Sequence, residues 1–340
     1  MAAHDLHETA RAIVADDKGI LAADESTGTI EKRFDSIQVE STEENRRFYR
    51  QLLFTAAGAE EHIGGVILYD ETIRQKADDG TPFPALLASK GVIPGIKVDT
   101  GAHDLALFPD EKVTEGLDGL RARLEEYFGL GARFAKWRAV ITIGDGIPTK
   151  GCIRANAHAL ARYAALCQEQ GLTPIVEPEV LMDADNTIDV CHEATARTLH
   201  MTFDALDSAR VDLEGILLKP NMVISGKGSP EQASADEIAE KTIDCFLRHV
   251  PAAVPGIVFL SGGQSEVQAT ENLNAINRVG GPWPLSFSYG RALQQSTLAA
   301  WAGEAANTES AQAVYAHRAR MNSLAAAGEW SAELEEAVTA

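Results

Sequence analysis

The chain has no run of apolar residues approaching 18, so the sequence offers no candidate membrane-spanning helix and no membrane partner is expected. Its opening, MAAHDLHETARA, lacks the charged-then-apolar order of a secretory signal, and the expected compartment is cytoplasmic. Cysteine is scarce. Cys152, Cys167, Cys191 and Cys245 are widely spaced without a CxxC pair, which suits reduced core thiols better than disulfides or a zinc site. The nine histidines include no HExxH, and neither the His4 and His7 pair nor the His192 and His200 pair has an ordinary ligand spacing, so no metal is expected. No GxGxxG follows the first apolar run, which removes the usual dinucleotide fingerprint. Positive charge is also in deficit, with 30 Lys and Arg against 50 Asp and Glu, a net −20. The basic footprint that nucleic acid requires is missing. A small phosphorylated substrate is still allowed, because screening confines exposed fields to about 8 Å and a local cationic cluster can hold phosphate.

What is present is a repeated unit. Eight short apolar runs, at 19–26, 64–71, 95–101, 134–140, 173–180, 214–220, 256–263 and 285–293, are each followed by a longer helical pattern. Most carry Val, Ile, Leu or Phe in the middle, as parallel strands buried on both faces do. Capping boxes are read at Ser41 with Glu44 and at Ser234 with Glu237, and Pro251 stops the second helix. In the first segment Leu6, Ala10, Ile13 and Val14 share one face. Eight strand–helix units over 340 residues without a composition break predict one α/β domain, a closed (β/α)8 TIM barrel. An open doubly wound sheet is the alternative topology. The expected boundaries are 1–324 for the barrel and its N-terminal helix, and 325–340 for a C-terminal tail that begins at AAAG.

In a barrel, chemistry gathers at the C-terminal ends of the strands. Here those ends carry Asp24, Asp70 with Glu71, Lys97 with Asp99, Lys136 with Arg138, Glu177 with Glu179, Lys219, Ser261-Gly262-Gly263 and Gly290-Arg291. Period-two alternation puts Lys136 and Arg138 on one face, and Glu177 and Glu179 likewise. A single such pair suits a structural salt bridge; six or more converging groups suit a site. The stretch LEGILLKPNMV then raises its own question, since Lys219 ends the most apolar run and an ammonium so placed must reach water or be held. A free lysine is neutral in only about one molecule in 2,500 at pH 7, and burial or a neighbouring cation such as Lys136 favours the neutral amine. Lys219 is thus the candidate nucleophile for an imine with a carbonyl, and Glu177 the candidate proton carrier. Lys97 and Arg291 remain for anionic ends of a substrate, with the SGG turn as a phosphate cradle.

Taken together, GILAADESTG, EENRRFYRQLLF, GGVILYDET, GIKVDTG, FAKWRAV, PIVEPEVL, LEGILLKPNMV, FLSGGQSE and FSYGRAL resemble the class I fructose-1,6-bisphosphate aldolases, in that family's order over about residues 9 to 324. The resemblance implies reversible cleavage of fructose 1,6-bisphosphate to dihydroxyacetone phosphate and glyceraldehyde 3-phosphate, in glycolysis and gluconeogenesis, by a homotetramer that uses no cofactor. It implies Lys219 as the imine-forming lysine, Glu177 as the proton shuttle, Lys136 and Glu179 as its partners, and Asp24 as the group that orients the substrate hydroxyls. Ser261, Gly262, Gly290 and Arg291 correspond to the phosphate site of the ketone half. Ser26, Thr29 and Lys97, with Lys32, Arg33 and Arg138, correspond to the other. Many relatives close with a tyrosine that assists proton exchange; the last tyrosine here is Tyr315 and Trp330 has no hydroxyl, so that assistance is not expected from this tail. A lyase acting through the same imine on a related phosphorylated ketose is the alternative function.

Overall fold

The computed structural model describes residues 3–338. Eight parallel strands close a barrel in the order of the sequence: β1 (Gly19–Ala22), β2 (Ile63–Leu68), β3 (Ile93–Lys97), β4 (Phe134–Ile141), β5 (Thr173–Val180), β6 (Leu217–Leu218), β7 (Ile257–Phe259) and β8 (Leu285–Tyr289). Helices surround it, with β1 pairing both β2 and β8, so no strand edge is left open. The closed (β/α)8 architecture holds, and the open sheet does not.

Alternation along the strands divides the barrel interior into two levels. The lower level is apolar: Ile20, Ile67, Phe134, Ile175, Leu217 and Val258 form one cluster with Ala10 and Ile13 of the N-terminal helix (Ala3–Ile13), which plugs that end, and with Val14 just after it. On three neighbouring strands the same inward face turns charged two residues further along, from Phe134 to Lys136, from Ile175 to Glu177 and from Leu217 to Lys219. Space for the lower level depends on glycine. A β-carbon on Gly95 would lie 2.2 Å from the Phe134 ring, one on Gly65 3.0 Å from it, and one on Gly64 2.1 Å from the Ile13 carbonyl oxygen. The N-terminal helix is also held from the side, where His7 Nε2 meets Asp212 Oδ2 at 2.6 Å. A second, larger core lies between the barrel and its helices, and Trp137 and Tyr163 are fully buried in it.

Several local expectations are corrected. The helix Glu43–Thr55 is capped by Thr42, whose side chain accepts from Asn45 N at 3.1 Å, not by Ser41, which instead accepts from Arg46. Ser234 does cap its helix by accepting from Glu237 N. The β6 run is shorter than 214–220, because Leu213–Gly215 winds into a 3-10 turn before it. A two-stranded hairpin, Gly101–Asp104 with Lys112–Glu115, follows β3 and has no counterpart in the sequence reading; its first strand buries no face, so it carries no alternating signal. Among the described residues, no helix is long and apolar enough to cross a membrane. The last long helix ends at Ala326, Gly328 follows at φ +73°, and Ala332–Val338 forms a 3-10 segment; residues 339–340 of the expected tail lie outside the described residues.

Candidate active site

The charged upper level opens into a cavity of about 560 Å³ at the C-terminal end of the barrel. Asp24, Ser26, Thr29, Lys32, Arg33, Lys97, Lys136, Arg138, Glu177, Glu179, Lys219, Ser261, Gly262, Gly290 and Arg291 all line it. The sequence-derived set is therefore assembled in one place, with two exceptions. Gly263 lies just behind the lining, its N–H donating to Met182 Sδ at 2.8 Å. Asp70 and Glu71 turn away: Asp70 starts a short helix and accepts from Arg74 and Tyr127, and Glu71 pairs with Arg46 at 2.7 Å.

At the centre, Glu177 stands between two lysines. Its Oε1 is 3.2 Å from Lys219 Nζ and its Oε2 is 3.4 Å from Lys136 Nζ. The three residues are only 3–4% exposed. Lys136 is not aligned for a hydrogen bond to Oε2, so that oxygen is a buried acceptor without a donor among the described residues. A buried carboxylate oxygen left open beside an amine is suited to receiving a proton. The strand end fixes Lys219 itself, since its N–H donates to Val176 O at 2.8 Å.

The two lysines are not equivalent. Lys136 also meets Asp24 Oδ2 at 2.8 Å and Asp99 Oδ2 at 4.0 Å. Burial alone would lower its pKa, but Asp24, Glu177 and Asp99 outweigh burial and raise it, so Lys136 is a fixed cation. For Asp24, burial would raise the carboxyl, and Lys136, Lys219 and Lys97 together hold it well below the usual carboxylate range. Among the described residues, Lys219 has one carboxylate within 4 Å, Glu177, where Lys136 has three. Glu179, on the same strand face as Glu177, forms an ion pair with Arg138 Nε.

Both sides of the mouth suit anions. Helix Thr27–Asp35 begins behind Ser26, whose hydroxyl is 3.1 Å from Thr29 Oγ1 and makes no capping bond, leaving the helix N-terminus open. Helix Arg291–Trp301 begins at Gly290, and Arg291 Nη2 donates to Gly262 O at 2.7 Å, tying that helix to the SGG turn. Arg33 stands on this second side, since a β-carbon on Gly290 would be 3.5 Å from its Nη2. The resemblance had placed it on the other.

Two further carboxylates support the site: Asp99, read at a strand end but assigned no role, and Glu25, which was not marked. Asp99 bonds Lys97 at 2.7 Å and accepts from Arg138 N at 3.2 Å, and its place two residues after Lys97 was the available signal. Glu25 is buried and pairs with Arg33 and Arg50 at 2.7 Å each. Its burial would raise its carboxyl, but the two guanidinium groups prevail and lower it. No sequence pattern marked it, because its partners Arg33 and Arg50 come from two helices, Thr27–Asp35 and Glu43–Thr55, whose approach the sequence does not show. The histidine pairs are not brought together: His7 meets Asp212, His192 meets Asp244 at 3.2 Å, His200 packs on His249, and the side chain of His4 lies outside the described residues. Tyr315 packs against the outer face of the barrel, and Trp330 is buried with its indole N–H on Glu335 at 2.9 Å; neither lines the mouth.

The model of the family described as fructose-bisphosphate aldolase class-I matches residues 5–340. A protein of Xanthomonas campestris named probable fructose-bisphosphate aldolase class 1 is 60% identical over 332 residues, covering 97% of this chain and 99% of its own length. Fructose-bisphosphate aldolase 5 of Arabidopsis thaliana, described as cytosolic, is 55% identical over 97% of this chain and 92% of its own. The Plasmodium falciparum fructose-bisphosphate aldolase, solved with TRAP and a small-molecule inhibitor, superposes with a TM-score of 0.95 at 49% identity, over 96% of this chain and 95% of that one. A barrel whose mouth joins buried lysines to two anion-suited helix ends thus has relatives of one kind across nearly its whole length, and the chain belongs to the class I fructose-bisphosphate aldolases, which are aldehyde-lyases acting on carbon–carbon bonds.

Proposed function

We propose that this aldolase cleaves and re-forms fructose 1,6-bisphosphate through an imine on Lys219. The observation that carries the reading is the Glu177 carboxylate held between Lys219 and Lys136, at 3.2 and 3.4 Å, in a buried cluster. Neutral Lys219 attacks the ketone carbon, and Glu177 supplies the proton that lets the carbinolamine lose water. The resulting iminium draws electrons from the neighbouring carbon–carbon bond. A base, Glu177 with Asp24 orienting the hydroxyl, removes the proton from the adjacent hydroxyl group as that bond breaks. Glyceraldehyde 3-phosphate leaves, and the bond's electron pair remains on the enzyme as an enamine. Protonation of the enamine and addition of water then release dihydroxyacetone phosphate and restore the amine.

Lys136, held cationic by Asp24, Glu177 and Asp99, keeps the site's charge fixed while Glu177 changes state. Ser261, Gly262, Gly290 and Arg291 take the ketone-half phosphate, and Ser26, Thr29, Lys32 and Lys97 the other; two such subsites favour a bisphosphorylated ketose. With the iminium as electron sink, the reaction asks nothing of a metal. The protein would then serve glycolysis and gluconeogenesis in the cytoplasm as a homotetramer, with residues 1–324 as the catalytic unit and 325–340 as its tail. The test is cleavage of fructose 1,6-bisphosphate in EDTA by the native protein and by Lys219→Met. Undiminished native activity and a loss of at least about 10³-fold in the variant are expected; EDTA-sensitive activity, or a fully active variant, overturns the reading.

A further inference from the structure

Lys227 was marked by no motif and lines no part of the mouth, yet it is built onto the phosphate cradle. It sits between Gly226 and Gly228 in the loop after β6. A β-carbon on Gly226 would lie 2.2 Å from the Ala184 carbonyl oxygen, so glycine lets this loop press against the loop after β5. Three backbone hydrogen bonds lock the contact: Gly226 N to Asn186 O at 2.8 Å, Lys227 N to Met182 O at 2.8 Å, and Gly228 N to Ala184 O at 3.0 Å. The Gln232 amide braces the turn by donating to Gly226 O at 2.9 Å.

From this platform the Lys227 side chain reaches the loop after β7. A β-carbon on Gly263 would fall 1.9 Å from Lys227 Cε and 2.2 Å from its Nζ, so the ammonium lies directly against the Gly263 backbone. Its described partner is Asp183 Oδ1 at 2.7 Å, with both side chains exposed. The Ser261-Gly262-Gly263 turn is therefore flanked by two cations, Arg291 bonded to Gly262 O and Lys227 over Gly263.

We propose that Lys227 is a specificity-determining residue for the phosphate on the ketone half of the substrate, its charge favouring a dianion at the Ser261–Gly263 turn. The inference rests on the proposed phosphate role of that turn, and the test separates the two. Lys227→Met keeps the stem and removes the charge, Lys227→Arg keeps both, and Ser261→Ala removes the hydroxyl from the turn itself. KM for fructose 1,6-bisphosphate and the inhibition constant of inorganic phosphate are measured for each, together with kcat. For Lys227→Met both constants are expected to rise roughly threefold to fivefold, the scale of a part-exposed ion pair, with kcat within about twofold. Lys227→Arg should return both to within about twofold of the native values. Unchanged constants in Lys227→Met, while Ser261→Ala raises them, overturn the inference and leave the phosphate site standing. An equal rise in the Met and Arg variants makes Lys227 a packing element only and also overturns it. Unchanged constants in Ser261→Ala remove the phosphate reading on which the inference rests.

Discussion

At the scale of single residues, the site is a problem of keeping charge below the water line. Lys136, Asp24, Asp99 and Glu177 are buried or nearly so, and each is tolerable only because the others are present. Lys136→Met should accordingly cost about 3 kcal/mol of stability, measured by urea unfolding, because it leaves three carboxylates around an empty position. The pH dependence follows from the shifts. Asp24 is depressed, so its contribution is complete above its unfolded value near 3.9 and is lost as pH falls through the folded value. Lys136 is raised, so its contribution is complete below about 10.4 and is lost as pH rises through the folded value. The stability difference between native protein and Lys136→Met should then be flat from roughly pH 5 to 9; a difference that collapses by pH 8 would mean Lys136 loses its proton there. Lys136 and Glu177 were legible because alternation carries the buried face of a strand directly into its charged end, whereas Asp24 and Asp99 stand just past their strands and were read only as strand-end charges. Glu25 was not, since its partners Arg33 and Arg50 lie on helices whose approach the sequence does not show.

At the scale of elements, buried parallel strands announce themselves as apolar runs, and all eight were found. Their ends were less clear. The β6 run looked seven residues long, but only Leu217–Leu218 pair, because a 3-10 turn absorbs its start. Glycine gives the strands a testable order. Gly95→Ala pushes a methyl to 2.2 Å from Phe134, where Gly65→Ala meets it at 3.0 Å. The first substitution should lose roughly 2–3 kcal/mol and the second about 1 kcal/mol or less. Equal losses, read from urea midpoints, would mean the Phe134 ring is not confined between these strands. The helix start is tested in the same way: Thr42→Ala should cost about 1 kcal/mol and Ser41→Ala less, since Thr42 caps Asn45 N.

At the scale of the whole molecule, an excess of 20 negative charges surrounds a mouth lined by seven Lys and Arg. The sequence total is therefore a poor guide to the site, which depends on where the minority charge is placed. The fold class was legible because eight similar units leave a barrel few competitors; the hairpin after β3 was invisible because it buries no regular face. The expectation of core thiols concerns the same scale. Cys152, Cys167, Cys191 and Cys245 are all buried and in no disulfide, and burial raises each thiol, Cys152 and Cys245 up to about 12. The native protein should resist alkylation by iodoacetamide at pH 8 and take up four labels after unfolding. Rapid labelling of the folded form would contradict the packing described for the outer core.

The central claim is that Lys219, and not the better-anchored Lys136, is the amine that bonds the substrate. The most direct measurement is borohydride reduction with dihydroxyacetone phosphate in EDTA, followed by peptide mass mapping. One adduct per chain is expected, on Lys219, and none on Lys136. An adduct on Lys136, or active protein with Lys219 unmodified, would contradict it.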